Sequence, residues 1–256
     1  MTPVAVILAE ATRTADGLMS TIPGDWMQGR TAYGGLSAAL ALAATLERFP
    51  DLPPLRSAQI AFVGPLAGTV RVEATQLRRG RNAAFIQADV SSDAGLGLRA
   101  TFVFMAALPS ALSHDAGVSN ASPPPPADAD LYVGPDNFFT GNFEFLDRKD
   151  AAGPAEWLRW ARLRDRAGLH PMVEIMAIGD ALPPAAFRLS EQPVPVSSLN
   201  WTINLLDAPP VTRDGWWLLH SIADRADAGY SSQRMTIWNA DGRPVAEAMQ
   251  GVAIFG

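Results

Sequence analysis

Ile237-Trp238-Asn239-Ala240-Asp241-Gly242-Arg243-Pro244-Val245-Ala246-Glu247-Ala248-Met249-Gln250 reads as a strand, a tight turn and a second strand. Asp241-Gly242 is the turn signal, because a tight hairpin favours glycine at positive φ. Beyond the turn, Ala246, Ala248, Gln250, Val252 and Ile254 share one face at the two-residue period of a strand, and Glu247 lies on the other. Gln250 is thus an amide in an apolar row. Leaving it unpaired would cost about 1–3 kcal/mol, so it needs partners, which are either backbone groups or the members of a site.

Working outward, three more strand-like runs, at 198–206, 216–223 and 232–239, precede the last one at 245–255, and a helix-like run at 169–182 precedes them all. The first half of the chain has the same order. A small-residue helix signal opens at Gly34-Gly35, runs at 57–63, 69–77, 83–90 and 98–105 follow, and Asp93-Ala94-Gly95 sits before the last of them as Asp241-Gly242 does in the second half. So long a repeat describes two domains and not a solenoid. The expected organisation is one unit over 1–108, a linker over 109–130 and a second unit over 131–256. The linker carries Pro123-Pro124-Pro125-Pro126 and reads as an extended surface segment. Runs at 138–148 and 156–164 read as further strands; Trp157 and Trp160 with Arg159, Arg162 and Arg164 fit a half-buried sheet, a short amphipathic helix being the other reading. A long helix followed by successive antiparallel strands gives an α+β class, with a sheet wrapped on each helix.

Composition narrows the functions. The chain has 256 residues, 20 basic against 26 acidic side chains and a formal net charge of −6, so it lacks the basic balance of a nucleic-acid binder. It has no cysteine, which removes a thiol nucleophile and any cysteine-held metal, and with only His114, His170 and His220 a histidine metal site is not expected. The longest apolar stretch, 33–46, falls short of the roughly 20 residues a bilayer span needs. The N-terminal residues lack the basic start of a signal peptide. A soluble cytoplasmic protein without membrane contacts is expected. There is no Gly-x-Ser-x-Gly elbow and no P-loop, and Gly95-Leu96-Gly97 lies between strands without the helix a dinucleotide requires.

In the second helix, Leu169, Val173, Met176 and Asp180 share a direction at ~100° per residue, so Asp180 is expected on the packed face, near the end that Pro183-Pro184 imposes. Burial and the helix C-terminal dipole both raise a carboxyl pKa there, which suits a base, while the alternative is a residue capping a local turn. By strand parity Ser197 shares a face with Leu199, Trp201 and Ile203, which leaves Ser198 on the opposite one. Arg78-Arg79-Gly80-Arg81 falls at an expected hairpin and is either a phosphate-binding cluster or a solvated turn. Trp26, Trp201, Trp216, Trp217 and Trp238 are either core or the wall of an apolar channel. His170 and His220 have no neighbour in sequence that would mark a catalytic dyad and are read as structural.

The two-copy plan, the Gly34-Gly35 pair, Val196-Ser197-Ser198-Leu199 and above all the hairpin ending in Gln250 resemble the type II acyl-CoA thioesterases over roughly residues 24–255. The resemblance implies a double hot-dog fold of two antiparallel sheets, each wrapped around a helix, and hydrolysis of acyl-CoA to a free acid and coenzyme A. It implies that an Asp, a Ser or Thr and a Gln hold the attacking water, here Asp180, Ser198 and Gln250. It further implies one site per chain, since the matching stretch Arg99-Ala100-Thr101-Phe102 has no glutamine. No cofactor is required. Backbone N–H groups near Gly35 are expected as an oxyanion site, Arg78, Arg79 and Arg81 as contacts for the coenzyme A phosphates, and a homo-oligomer as the assembly. Where that family commonly has Ser-Leu-Asp-His, this chain reads Ser198-Leu199-Asn200-Trp201. That departure keeps two alternatives open: a non-catalytic acyl-binding or scaffold protein and, on the same fold, a hydratase, which would normally need an Asp/His pair.

Overall fold

The structure, a computed structural model, describes residues 1–148, 152–190, 192 and 194–255. Its elements in the first half are α1 (Val4–Glu10), β1 (Thr12–Thr14), β2 (Gly17–Thr21), a small hairpin of β3 (Met27–Gln28) and β4 (Thr31–Ala32), α2 (Gly34–Arg48), β5 (Leu55–Phe62), β6 (Thr69–Arg79), β7 (Ala83–Ser92) and β8 (Gly95–Met105). The second half contributes β9 (Phe143–Asp147), β10 (Glu156–Leu163), α3 (Pro171–Gly179), β11 (Val196–Leu205), β12 (Trp217–Asp227), β13 (Tyr230–Asn239) and β14 (Pro244–Ile254). The helix expected over 169–182 is shorter at both ends. His170 caps it by accepting the Met172 N–H, Pro171 starts it, and Asp180 already leaves helical geometry.

Twelve strands form one antiparallel sheet in the order β1-β2-β6-β7-β8-β5-β11-β14-β13-β12-β10-β9. From the centre outward the two halves repeat each other, β5 matching β11, β8 matching β14, β7 matching β13 and β6 matching β12. The two expected sheets meet at β5 and β11, where Ile60 pairs with Trp201 and Ala58 with Ile203. Pairing these edges removes two rows of open backbone groups and makes the sheet continuous.

Both helices lie on the inner face and pack on one another. Every residue of α2 from Gly35 to Leu42 is buried, and so is every residue of α3 from Met172 to Gly179, as expected of helices apolar on nearly all sides. The alanines of α2 leave room for sheet on one side and helix on the other. At the end of α3 the fit is closer still: a Cβ on Gly179 would stand 2.8 Å from Cζ2 of Trp201, a side chain with no exposed surface.

A second apolar cluster, Leu158, Trp160, Trp216, Leu218, Trp238 and Ala240, lies on the outer face of the second half. Part of the proline-rich stretch crosses it. The Trp238 indole donates to the Val118 carbonyl at 2.7 Å, and Asn120 N–H donates to Gly242 O at 2.9 Å. Gly242 is needed twice over, for its φ of +77° in the hairpin turn and because a Cβ there would lie 2.1 Å from the Asn120 carbonyl oxygen. Trp26, Trp201, Trp216, Trp217 and Trp238 are all buried, and none lines the cleft beside Asp180 and Ser198. Among the described residues no helix is long and apolar enough to cross a membrane.

Overpacking at Gly179 tests the helix–sheet fit. Gly179→Ala should lower stability by ~1–3 kcal/mol in urea unfolding, and the loss should shrink in a Trp201→Phe background, because the two positions share one contact.

Candidate active site

α2 begins, α3 ends, β5 ends and β11 starts at one place on the inner face. A carboxylate fits there because its neighbour has no side chain: a Cβ on Gly34 would stand 2.5 Å from Asp180 Oδ2 and 2.8 Å from the Phe62 ring. Gly35 serves the residue beneath, since its Cβ would strike the Tyr33 hydroxyl oxygen at 2.5 Å and the ring at 2.6 Å. Tyr33 stacks on Phe139 at 4.2 Å and donates its hydroxyl to the Ala177 carbonyl of α3 at 2.8 Å, tying the two halves together below the site.

Asp180, Ser198 and Gln250 meet. Gln250 Nε2 donates to Asp180 Oδ1 at 2.8 Å and to Ser198 Oγ at 3.1 Å. Burial pushes the Asp180 carboxyl up to about 7, outweighing the lowering by hydrogen bonds from Gln250 and from the Gly35 backbone N–H. Ser198 reaches this group through a β-bulge. Its register partner is Val252, that of Asn200 is Gly251, and Leu199 is left over between them. The extra residue resets the alternation, so Ser198 and Trp201 face inward together and Asn200 faces outward, accepting from Gly251 N–H at 3.0 Å. The Asn200-Trp201 departure therefore leaves the three polar groups hydrogen-bonded.

Gln233 is the member that sequence reasoning missed. It is fully buried opposite Gln250 in the β13–β14 ladder, and its Nε2 donates to Gln250 Oε1 at 2.6 Å while its own Oε1 accepts from Ala185 N–H at 2.8 Å. The signal was present, because Ser231, Gln233, Met235 and Ile237 share a strand face just as the row around Gln250 does.

A cleft of ≈ 770 Å³ opens beside these groups, with Asp180 and Ser198 on its wall. Phe62, Leu66, Leu98, Leu182 and Val196 supply apolar lining, and Arg30, exposed on the β3–β4 turn, is its one basic residue. The Arg78, Arg79 and Arg81 cluster is not part of it. That hairpin lies at the Met105 end of β8, whereas the cleft lies at the Leu98 end, and Arg79 is engaged with Asp51 at 3.0 Å. The strand pairing separates what the charge pattern suggested. The Gly35 N–H likewise faces Asp180 and is occupied there. His220 pairs with Glu156 beside Trp238 on the outer face, and His170 serves as the cap of α3. Among the described residues no three His, Asp or Glu side chains gather as a metal site.

Residues 22–105 match the acyl-CoA thioesterase N-terminal domain model and residues 115–254 the acyl-CoA thioesterase C-terminal domain model. No curated protein matches significantly. Among solved structures, a hot dog fold protein of unknown function from Alicyclobacillus acidocaldarius superposes with a TM-score of 0.84 at 20% identity, covering 100% of this chain and 99% of that one. An acyl-CoA thioesterase II, TesB2, from Mycobacterium marinum gives 0.78 at 16% identity, with 98% of each chain covered. The tesB protein of Mycobacterium avium subs paratuberculosis gives 0.79 at 16%, with 99% of each covered. At such identities the structural likeness is one of fold, the double hot-dog, while the family models span both halves. The chain belongs to the acyl-CoA thioesterase family and is a thioester hydrolase.

Proposed function

We propose that Asp180, Ser198 and Gln250 hydrolyse acyl-CoA by holding one water molecule against the thioester carbonyl. The observation that carries this reading is the convergence of the carboxylate and the hydroxyl on one amide nitrogen, at 2.8 and 3.1 Å, on the wall of an apolar cleft. Two groups that close can share a single water.

Asp180 accepts a proton as the water oxygen bonds to the carbonyl carbon. The resulting tetrahedral oxyanion collapses, the carbon–sulfur bond breaks, and the coenzyme A thiolate leaves and takes up the proton. Ser198 Oγ already accepts from Gln250, so its own O–H is directed elsewhere and can donate to the water or to the carbonyl oxygen. A carboxyl titrating near 7 combines a usable ionised fraction with real basicity, which is what a general base requires. A hydratase lacks support at this site, because neither His170 nor His220 lines the cleft.

Arg30 is the cation that suits the phosphates of coenzyme A. It lines the cleft, is exposed, and has no ion pair among the described residues. In a chain of net charge −6 an anionic substrate needs such a local counter-charge. The same reading carries a cytoplasmic location, where coenzyme A thioesters are used, a role in lipid metabolism, and association into a homo-oligomer.

Following free thiol release from acyl-CoA, Asp180→Asn should lower kcat by roughly 10²–10⁴-fold, and near-normal turnover would sink the proposal. For the unaltered protein kcat/KM should fall about tenfold per pH unit below a midpoint near 7, because only the ionised carboxylate accepts the proton. Arg30→Gln should raise KM for acyl-CoA by about tenfold, the value of a charged hydrogen bond, with kcat little changed. Turnover of the corresponding acyl-N-acetylcysteamine, which has no phosphates, should be untouched.

A further inference from the structure

An amide side chain is ambiguous by itself, since turning it over exchanges its acceptor and its donors. At Gln250 that exchange would matter. With Nε2 toward Asp180 and Ser198, both oxygens receive an N–H. With Oε1 toward them, an acceptor would face a carboxylate. A protonated Asp180 could nevertheless donate to that Oε1, so the site alone does not fix the amide across the titration of the carboxyl.

The selection comes from one residue further away. Ala185 N–H is a backbone donor and cannot reverse, and it meets Gln233 Oε1 at 2.8 Å. The amide of Gln233 is thereby oriented with Nε2 toward Gln250 Oε1, at 2.6 Å, and Gln250 is left with its Nε2 toward Asp180 and Ser198. The two glutamines have at most 2% of their surface exposed, so water offers no substitute partner. Turning Gln250 over alone would set its Nε2 against Gln233 Nε2, and turning both amides over would set Gln233 Nε2 against the Ala185 N–H, donor against donor in either case, leaving buried polar groups unpaired.

We infer that Gln233 is a positioning residue for hydrolysis, passing the fixed polarity of the Ala185 N–H through two side-chain amides to the carboxylate and hydroxyl of the site. Ala185 opens a helical turn directly after Leu182 and Pro184, which line the cleft, so the relay also ties the cleft wall to Gln250. The inference rests on the proposed roles of Asp180, Ser198 and Gln250.

The sign of the effect follows from what surrounds Asp180. Its neighbours are the Gly34-Gly35 start of α2, which has no acidic residue in its first turn, Phe62 from β5, Ser198 from β11 and Gln250 from β14. Tyr33 is the titratable group coupled to it, held neutral by burial and donating to Ala177 O. Glu174, on the same helix, is engaged with Arg166 and the Trp217 indole. The N–H of Gln250 is thus the side-chain contact that favours the ionised carboxylate. Releasing that amide to turn over removes the preference, and Asp180 then holds its proton to higher pH.

Two substitutions test this. Gln233→Met keeps the bulk but offers neither donor nor strong acceptor; it should lower kcat on the order of tenfold with KM nearly unchanged, and move the acid limb of kcat/KM alkaline by roughly one pH unit. Gln233→Glu should behave differently. While protonated, the introduced carboxyl can accept from Ala185 and donate to Gln250, restoring the relay; once ionised it cannot donate, so the profile should gain an alkaline limb that the unaltered protein lacks. Acid limbs that coincide in Gln233→Met and the unaltered protein, together with no alkaline limb in Gln233→Glu, would reduce Gln233 to a packing residue and overturn the inference. If the unaltered protein released no thiol at all, the hydrolytic reading would fall instead. Titration of the Asp180 carboxyl by NMR, with and without Gln233→Met, would still decide whether the relay sets its protonation.

Discussion

The structure depends on placing a carboxylate in the interior where two helices from different halves of the chain come together. Asp180 ends α3 of the second half, and the room it occupies is left by Gly34 at the start of α2 of the first. Any side chain at Gly34 would meet Asp180 Oδ2 and Phe62 together, so the site exists only as long as the halves stay in register. The paired edges of β5 and β11, the contact of α2 with α3 and the Tyr33 bond to Ala177 maintain that register from three directions. A site assembled across such a junction is rigid on both sides, which suits chemistry that relies on holding water in place.

Duplication followed by specialisation accounts for the unequal interiors. In the first half the inner row of β8 is Leu98, Ala100, Phe102 and Phe104, all without exposed surface. In the second, the matching strands β13 and β14 turn Ser231, Gln233 and Gln250 inward among apolar neighbours. The first half therefore supplies packing, the apolar wall at Phe62, Leu66 and Leu98, and the glycines of α2. The second supplies the polar groups. One half tolerates buried amides because the other needs none, and the amides are tolerable only because they form a closed chain ending on a backbone donor.

What could be read from the chain follows from which interactions are local. The strand runs, the two glycine turns and the inward Gln250 depend on a two-residue period and on φ, both of which a sequence displays directly. Ser198 was not legible in this way. One inserted residue, Leu199, reverses the parity of β11, and nothing in Val196-Ser197-Ser198-Leu199 announces a bulge; the resemblance to the thioesterases selected Ser198 where alternation could not. The arginine cluster at 78–81, open between a phosphate contact and a solvated turn, lies away from the cleft for a different reason. Composition identified a cation-rich turn, but which end of a strand faces the cleft is set by long-range pairing, and Arg30, a lone cation in a short hairpin, carries no local signal. Gln233 was visible by the rule that found Gln250, but its significance lies in its partners at Ala185 and Gln250, which are distant in sequence.

The position of the Asp180 pKa shows the cost of the arrangement. Burial alone would carry the carboxyl higher, whereas stronger donation from Gln250 and Gly35 would lower it; for the proposed role of Asp180 the first would hinder ionisation and the second would weaken the base. The value of about 7 is a balance of these opposed effects, and it has a consequence for folding. Because the carboxyl binds its proton more tightly folded than unfolded, where it titrates near 3.8, the folded state gains from protonation below that range and loses that gain progressively as pH rises to about 7. Above about pH 7, where the carboxyl is ionised and the proposed base would act, the fold carries the penalty of an ionised group in its interior. The continuous apolar core running through both halves offsets it, which is why a site of this kind sits at the centre of a twelve-stranded sheet and not on a loop.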